Sequence, residues 1–318
     1  MSRAGTRVVL RVGDLGADGV RAVLDLAEED RLTPVLAGKG AALLFEHPSA
    51  RTRNAAEMAV VQLGGHPVAI RGEEVGLDRR ESAEDVARTL ACFHAVIAAR
   101  VARHGTLERM AAALDPDGGV AVVNLLSDLE HPTQALADLL TIRQCLGGLE
   151  GRTVAYVGDG NNVCRSLVDA CALVGAPARV AAPVGYQLSA ADLDRAAGLG
   201  GEVVQTDDPV AAVAGADVVY TDVWVSMGEE AEAAERRVAL GPYQVSEALL
   251  ATAAPGAILL HCLPAHRGEE VTDGALDGPH SRVWEQAANR MHALRGLLGH
   301  LLGAEPVQGS AWAGGSPE

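Results

Sequence analysis

The stretch AALLFEHPSARTR at Ala41–Arg53 passes from an apolar strand directly into a helix. Ser49 and Thr52 offer hydroxyl donors there, and the guanidinium of Arg51 can bind two phosphate oxygens at once. The first turn of a helix also presents free N–H groups and the positive end of the helix dipole. The stretch therefore predicts an α/β unit with a phosphate site, although a plain helix cap with solvated arginines would also fit.

Length, charge and composition restrict the class of protein. The chain has 318 residues, 48% of them hydrophobic, and a net charge of -16 at pH 7. This length favours two domains, and the acidic balance argues against nucleic acid or an anionic membrane as a partner. Because no signal-peptide pattern opens the sequence and no apolar run is long enough to cross a bilayer, we expect a cytoplasmic protein.

Neither a metal nor an organic cofactor is expected. The five cysteines are scattered, odd in number and without a C-x-x-C pair, which indicates reduced thiols packed as small apolar groups. The loop Gly158–Val163 has the first two glycines of a dinucleotide-binding loop, but Val163 stands where the third would be needed. A nicotinamide-dependent dehydrogenase is therefore not predicted.

Short β-rich runs alternate with helical segments along the chain, which predicts parallel sheets flanked by helices. We predict strands at Ala41–Phe45, Pro67–Ile70, Ala95–Ala99, Val120–Leu125, Thr153–Val157, Ala178–Ala182, Glu202–Gln205, Val218–Thr221 and Ile258–His261. We predict helices at Asp18–Glu29, Thr52–Leu63, Ala83–Cys92, Leu107–Leu114, His131–Leu146, Val163–Val174, Ala190–Leu199, Val245–Ala253 and Val283–Leu302. The glycine-rich segment Gly147–Gly151 is the expected domain boundary, and the tail Gly303–Glu318 is expected to be loosely packed.

Polar residues follow several of these strands at their carboxyl ends, where ligands bind in parallel sheets. Arg100 ends a buried strand, and a guanidinium there needs either an acid or a ligand as its partner. His131 and Gln134 place an imidazole and an amide at the start of a helix, as caps or as ligand contacts. Their position beside the first motif favours ligand contacts.

Two later segments offer groups for an amino acid. Asp222 can pair with an ammonium group, and Ser226 can bind a carboxylate. The acidic segment Glu229–Val238 that follows is either a mobile lid or a solvated insertion. Cys262 follows the last strand, but its neighbour His261 points to the opposite face, so we expect the thiol to contact substrate rather than attack it.

Together these segments resemble the motifs of one family, the aspartate/ornithine carbamoyltransferases. Ser49–Arg53 is similar to the phosphate motif S-T-R-T-R, with Ala50 in place of a threonine. His131–Gln134 matches H-P-x-Q, Thr221–Gly228 matches T-D-V-W-x-S-M-G, and His261–Gly268 matches H-C-L-P-A-H-R-G. The resemblance covers nearly the whole chain, and the last two motifs are specific to the ornithine branch.

The resemblance implies an α/β protein of two domains, each a parallel sheet flanked by helices. Residues 1–146 plus 287–318 would bind carbamoyl phosphate, residues 147–286 would bind ornithine, and the C-terminal helix would pack back on the first domain. It also implies transfer of the carbamoyl group to the δ-amine of L-ornithine, giving L-citrulline and phosphate. The resemblance also implies that the protein forms a homotrimer, or a multiple of trimers, in which neighbouring subunits share active sites.

The resemblance further implies roles for individual residues. Carbamoyl phosphate would be held by Ser49, Ala50, Arg51, Thr52, Arg100, His131, Gln134, Cys262, Leu263 and Arg290. Ornithine would be held by Asn162, Asp222, Ser226, Met227 and Cys262. The groups expected to take part in catalysis are Arg51, Thr52, Arg100, His131 and Cys262.

Two departures from the family pattern leave other functions open. Ala50 loses a hydroxyl near the phosphate, and the loop Gly72–Ser82 is longer than usual. The residue that this loop would insert into a neighbouring subunit is expected among Glu74, Asp78, Arg79 and Arg80. The alternatives are a transferase acting on putrescine or an acylated ornithine, and a non-catalytic homologue that only binds a phosphate ligand.

Overall fold

The computed structural model describes residues 7–115, 118–225 and 230–307, which form two α/β domains. The strands are β1 Val8–Val9, β2 Gly40–Phe45, β3 His66–Arg71, β4 His94–Arg100, β5 Ala121–Leu126, β6 Val154–Val157, β7 Ala178–Ala181, β8 Val203–Thr206, β9 Val218–Thr221 and β10 Ile258–His261. The α-helices are α1 Gly16–Glu28, α2 Ala50–Gln62, α3 Gly72–Val75, α4 Ala83–Ala91, α5 His104–Ala112, α6 Pro132–Leu146, α7 Asn162–Val174, α8 Ala190–Gly198, α9 Pro209–Val213, α10 Ala233–Leu240, α11 Glu247–Leu250, α12 Asp273–Leu276 and α13 Val283–Leu302.

The first sheet is five-stranded and parallel, in the order β1-β5-β4-β2-β3. Ala41, Ala42, Leu43 and Leu44 of β2 are buried, as expected for a parallel strand covered on both faces. Because β4 and β5 are the neighbours on one side, the loops after β2, β4 and β5 open at the same edge. The predicted phosphate segment lies at that edge.

The second sheet is also five-stranded and parallel, in the order β10-β9-β6-β7-β8. The chain leaves β6 toward β7 on one side, while β9 pairs with β6 on the other, so a topological switch point lies between β6 and β9. Thr221 lies opposite His261 in the β9–β10 ladder. This register brings the residues that follow, Asp222 and Cys262, to adjacent positions.

The last helix joins the two domains. α13 follows the second domain in the chain and packs against α1, α2 and α6 of the first. Gly296 of α13 has no room for a side chain, since an added Cβ would collide with the Val23 carbonyl and lie 3.0 Å from the Ala27 Cβ. Glycine at this position therefore permits the close approach of α13 to α1.

The sequence predicted the strands well and the short elements poorly. Each predicted strand is present, with ends that differ by no more than one residue. The predicted helix Val245–Ala253 is wrong in extent, because Val245 forms a β-bridge with Val271 and α11 begins only at Glu247. Six short elements of two to five residues were not predicted: β1, α3, α9, α12 and the 3-10 turns Val12–Leu15 and Gly241–Tyr243.

Three further expectations concern the acidic segment Glu229–Val238, the C-terminal tail and membrane-spanning helices. In the segment Glu229–Val238, Glu230–Glu232 form a 3-10 turn that leads into α10, and Glu229 lies outside the described residues. Of the predicted loose tail, residues 308–318 lie outside the described residues. Among the residues that the structure does describe, no helix combines the length and apolarity needed to cross a membrane.

Gly296→Ala is expected to lower the free energy of unfolding by about 1–3 kcal/mol, because the added methyl overpacks the α1–α13 contact. Gly105→Ala is the matched control, since nothing lies within 4 Å of a methyl added at this exposed site on α5. That variant should be neutral or more stable by up to about 1 kcal/mol. Urea unfolding measures both, and equal stability of the two variants would contradict the packing argument.

Candidate active site

The first turn of α2 forms one side of the site. Ser49 caps the helix, and its Oγ accepts a hydrogen bond from the Thr52 N–H at 3.4 Å. The Arg290 guanidinium, which comes from α13, donates from Nη2 to Thr52 Oγ1 at 2.8 Å. Ala50 is exposed, and its N–H is one of the free donors of the first turn. The helix start and the returning C-terminal helix therefore meet at the predicted phosphate position.

Three guanidiniums lie close enough together for their charges to lower the pKa values of Arg100 and Arg290. Burial, followed by the charges of Arg290 and Arg51, lowers the pKa of Arg100 to about 10. Burial also lowers the pKa of Arg290, and Arg51 adds to that shift. Within the part of the chain that the structure describes, Nε of Arg100 has no hydrogen-bond partner. Such a concentration of positive charge in an acidic chain is the electrostatic setting of an anion site.

His131 stands behind this cluster at the start of α6. Burial holds the pKa of His131 well below its usual range, and the charges of Arg290 and Arg100 lower it further. Its backbone N–H donates to Ser166 Oγ of α7 at 2.8 Å. The imidazole is therefore neutral at pH 7, and it can donate a hydrogen bond to a carbonyl oxygen without adding a further positive charge.

Gln134 and Asp138 lie one turn apart on the buried face of α6. The Gln134 Nε2 donates to Asp138 Oδ1 at 2.7 Å, while its Oε1 accepts from Nη1 of Arg290. Gln286 of α13 donates to the same Asp138 oxygen at 2.7 Å. Burial raises the pKa of Asp138 to about 7, although the hydrogen bonds from Gln134 and Gln286 oppose the shift.

Asp222 and Cys262 meet at the ends of β9 and β10. The Cys262 Sγ donates to Asp222 Oδ1 at 2.8 Å, and Asn161 Nδ2 donates to Asp222 Oδ2 at 2.9 Å. Burial raises the pKa of Cys262 well above its usual range, and the Asp222 charge adds to the shift. The sulfur is therefore a thiol rather than a thiolate, which argues against an attacking nucleophile.

The prediction that strand alternation separates His261 from Cys262 is wrong, because β10 ends at His261 and one of its ring nitrogens lies within 4.8 Å of the Cys262 sulfur. The Nε2 of His261 lies 3.0 Å from Glu270 Oε1, and its Nδ1 accepts a hydrogen bond from the Leu263 N–H at 2.9 Å. The peptide bond between Leu263 and Pro264 is cis. These contacts define the turn that carries Cys262 and Leu263 at the end of the last strand.

The structure brings most of the predicted residues together. Hydrogen bonds or charge interactions connect Ser49, Arg51, Thr52, Arg100, His131, Gln134, Cys262 and Arg290. Asn162 instead donates to the Ser127 carbonyl at 2.7 Å, and its neighbour Asn161 is the residue that contacts Asp222. Ser226 and Met227 lie outside the described residues.

Sequence reasoning missed the buried polar residues that support the site, Asp138 and Gln286. Both sit on helices whose buried faces carry other polar residues as well, such as Thr141 on α6 and Asn289 on α13. The available signal was the spacing of Gln134 and Asp138, because residues four apart share one face of a helix. Gln286 has no comparable signal, since its partners come from distant parts of the chain.

This fold and site define a class, a two-domain α/β enzyme with an anion pocket at a helix start and an acid–thiol pair in the second domain. The chain belongs to the aspartate/ornithine carbamoyltransferase family. Residues 7–144 match the carbamoyl-P binding domain of that family, and residues 150–301 match its Asp/Orn binding domain.

Individual relatives resemble the chain over nearly its full length. The ornithine carbamoyltransferase of Hyperthermus butylicus is 47% identical over 93% of this chain and 97% of its own length. The crystal structure of the enzyme of that name from Thermus thermophilus has a TM-score of 0.84 at 45% identity, covering 93% of this chain and 99% of that one. The Pyrococcus furiosus structure of the same name has a TM-score of 0.89 at 42% identity, covering 95% and 99%.

Asp138→Asn is expected to change how stability depends on pH. Native Asp138 keeps its proton up to about pH 7, whereas the unfolded carboxyl, with a pKa of about 3.8, loses it earlier. The native state therefore binds the extra proton between these values, so wild type loses stability there as pH rises. Asparagine has no such proton, and the Tm of wild type minus that of the variant should fall from pH 5 to pH 8.

Thermal scans at constant ionic strength measure this difference. Thr141→Val is the matched control, because Thr141 is buried on the same helix, contacts Asn289 at 3.0 Å and carries no charge. Its Tm difference from wild type should not vary with pH. A difference for Asp138→Asn that stays constant or grows with pH would show that the acid does not titrate as described.

Proposed function

We propose that this protein transfers the carbamoyl group from carbamoyl phosphate to the δ-amine of L-ornithine, giving L-citrulline and phosphate. The observation that carries the proposal is the cluster of the buried Arg100 and Arg290 with the exposed Arg51, whose mutual repulsion a phosphate would relieve. The relatives from T. thermophilus and P. furiosus, whose structures cover nearly the whole chain, carry the name ornithine carbamoyltransferase.

The proposed donor pose follows from the donors around the pocket. Ser49, Arg51 and Arg290 would bind the phosphate, together with the Ala50 N–H of the first helical turn. The carbonyl oxygen of the carbamoyl group would accept from neutral His131 and from Arg100 and Thr52. Cys262 and Leu263 would border the reacting carbon. The backbone donor at Ala50 remains although its hydroxyl is lost, which supports weaker binding rather than lost function.

The proposed acceptor site lies at the ends of β9 and β10. Asp222 offers its carboxylate to the α-ammonium group, and Asn161 and Cys262 already bind that carboxylate. Asn162, Ser226 and Met227 stay predictions for the α-amino and carboxylate groups. The Asp222 carboxylate fits a free amino acid better than an acylated ornithine, whose α-nitrogen carries no charge. Putrescine keeps an ammonium group for Asp222 but lacks the carboxylate for which Ser226 and Met227 are predicted.

The reaction needs no covalent intermediate. The neutral δ-amine attacks the carbonyl carbon, the bond from that carbon to the phosphate oxygen breaks, and the amine loses a proton. An amine with a lysine-like pKa of ~10.4 is neutral in about one molecule in a thousand or fewer at pH 7. Catalysis would come from positioning the two substrates and from stabilising charge on the carbonyl and phosphate oxygens. No step requires a metal or an organic cofactor.

We also propose a homotrimer, or a multiple of trimers, in which a neighbouring subunit completes each site. Met58 and Val61 are exposed apolar residues on α2, which supports coverage of that face. In the loop Gly72–Ser82, Glu74 pairs with Arg71, Asp78 pairs with Arg109, and Arg80 donates to the Glu74 carbonyl. Arg79 is exposed, and no hydrogen bond or ion pair of its side chain occurs among the described residues. Arg79 is therefore the proposed contribution to the neighbour.

The domain division and the location stay predictions as well. Residues 1–146 plus 287–318 are proposed to bind carbamoyl phosphate and residues 147–286 to bind ornithine. The position of Arg290 on α13, in contact with Thr52 and Gln134, supports counting that helix with the first domain. The proposed cytoplasmic location rests on the free cysteines, which indicate a reducing environment.

Purified protein is expected to form citrulline from carbamoyl phosphate and L-ornithine, and Arg51→Met should lower kcat/KM by roughly 100-fold or more because a bidentate phosphate contact is lost. Arg21→Met removes an exposed arginine that pairs with Asp18 on α1, and it should retain wild-type activity. Putrescine and N-acetylornithine serve as alternative acceptors in the same colorimetric assay. Turnover with either in place of ornithine would favour the alternative transferase, and binding without turnover would favour a non-catalytic homologue.

The shared site predicts that two inactive variants complement each other. Arg51→Met damages the pocket of its own subunit, and Arg79→Ala is expected to damage the pocket of the neighbour. After joint unfolding and refolding at equal amounts, random mixing should restore about a quarter of wild-type activity, since that fraction of sites contains neither change. Mixing without refolding is the control. Hybrids that stay inactive would contradict a shared site that uses Arg79.

A further inference from the structure

Asp138 lies where the two domains and the C-terminal helix meet behind the pocket. It is fully buried on α6, and its Oδ1 accepts from the side chains of Gln134 and Gln286, each at 2.7 Å. The Tyr220 hydroxyl of β9 lies 3.3 Å from the same Gln286 nitrogen. Burying a carboxyl group this deeply costs free energy unless hydrogen bonds stabilise it.

The carboxyl group decides which end of the Gln134 amide faces the pocket. An amide has one donor end and one acceptor end, whereas Oδ1 of Asp138 accepts and the Arg290 guanidinium only donates. With Nε2 on Asp138, the oxygen of Gln134 points at Arg290. The reversed amide would set oxygen against oxygen at one end and donor against donor at the other. The junction therefore permits a single orientation of the Gln134 amide.

The second domain holds the same acceptor in place. Gln286 donates to Asp138 while its own Oε1 accepts from the His261 N–H at 2.8 Å. Both ends of the Gln286 amide are thus hydrogen-bonded, so its Nε2 stays oriented as a donor to Asp138 Oδ1. Within the described residues Oδ2 of Asp138 has no hydrogen bond of good geometry, so a proton on that atom would leave Oδ1 as an acceptor.

We propose that Asp138 is a positioning residue that makes the pocket selective for an amide-bearing donor, an inference that rests on the function proposed above. The Gln134 oxygen has two lone pairs, and Arg290 uses one of them. The other accepts an N–H from the carbamoyl group. A ligand with a methyl group in that position leaves the oxygen unpaired. Without Asp138 only the Arg290 contact orients the amide, so its oxygen is no longer held toward the carbamoyl group and the discrimination between the two ligands falls.

The test compares two stable phosphonates by calorimetry with the purified full-length protein. Phosphonoacetamide keeps the amide, and 2-oxopropylphosphonate has a methyl group in its place. Wild type should bind the amide about tenfold more tightly, which is the effect of one buried hydrogen bond. In Asp138→Ala the ratio of the two Kd values should fall to between about one and two. A ratio that stays at the wild-type value in the folded variant would overturn the proposal.

Matched variants separate positioning from a general loss of packing. Asp138→Asn retains an acceptor oxygen and should retain the wild-type ratio, and Thr141→Val, which breaks a different buried contact between α6 and α13, should retain it too. A fallen ratio in Thr141→Val would assign the effect to packing and overturn the proposal. If the alanine variant does not fold, Asp138→Glu takes its place, because it displaces the acceptor by one methylene. The ratio of the two Kd values should then fall, and an unchanged ratio would overturn the proposal.

Citrulline formation by wild type is measured in parallel, so that the two inferences can fail separately. Lack of turnover together with a ratio that depends on Asp138 would refute the proposed function and leave the positioning role standing. Normal turnover together with equal Kd values for the two phosphonates in wild type would refute the positioning role alone.

Discussion

Enclosed positive charge is the constraint on which the rest of the site depends. Arg51, Arg100 and Arg290 come from three different elements. Burial lowers the pKa of Arg100 and of Arg290, and the charge of Arg51 adds to both shifts. Two oxygens on the protein, those of Thr52 and Gln134, already accept hydrogen bonds from Arg290. Neutral oxygens cannot cancel three charges, so the pocket is electrostatically complete only with an anion in it. This requirement favours a phosphate over a neutral ligand.

The return of the C-terminal helix to the first domain brings Arg290 into this cluster. Arg290 reaches the start of α2 only because α13 packs against α1, α2 and α6, and Gly296 allows that packing to be close. The helix also carries Gln286, which connects Asp138 of the first domain to the His261 backbone of the second. Buried polar networks of this kind contribute geometric specificity more than stability. The two proposed substrate positions are thus connected through one helix.

How far the sequence predicts the structure depends on the kind of element. Fully buried parallel strands are continuous apolar runs, so β2 and β4 could be located within a residue. Short elements such as α3 and α9 have too few residues to show a period. α11 is shorter than its composition indicates, because the β-bridge of Val245 with Val271 competes for its first turn. That bridge joins residues far apart in sequence.

The sequence by itself determined the α/β class, the polar start of α2 at which a phosphate site is proposed, and the groups that gather at strand ends, because local order and residue chemistry suffice for these. It did not predict the relation of Cys262 to His261, because Cys262 follows the last residue of β10 and its sulfur lies within 4.8 Å of a His261 ring nitrogen. Only the tertiary structure decided that Asn161 rather than Asn162 contacts Asp222, and that Asp138 and Gln286 orient Gln134. Those contacts depend on how helices and sheets from distant segments pack, and a buried polar group finds its partners only after that packing exists.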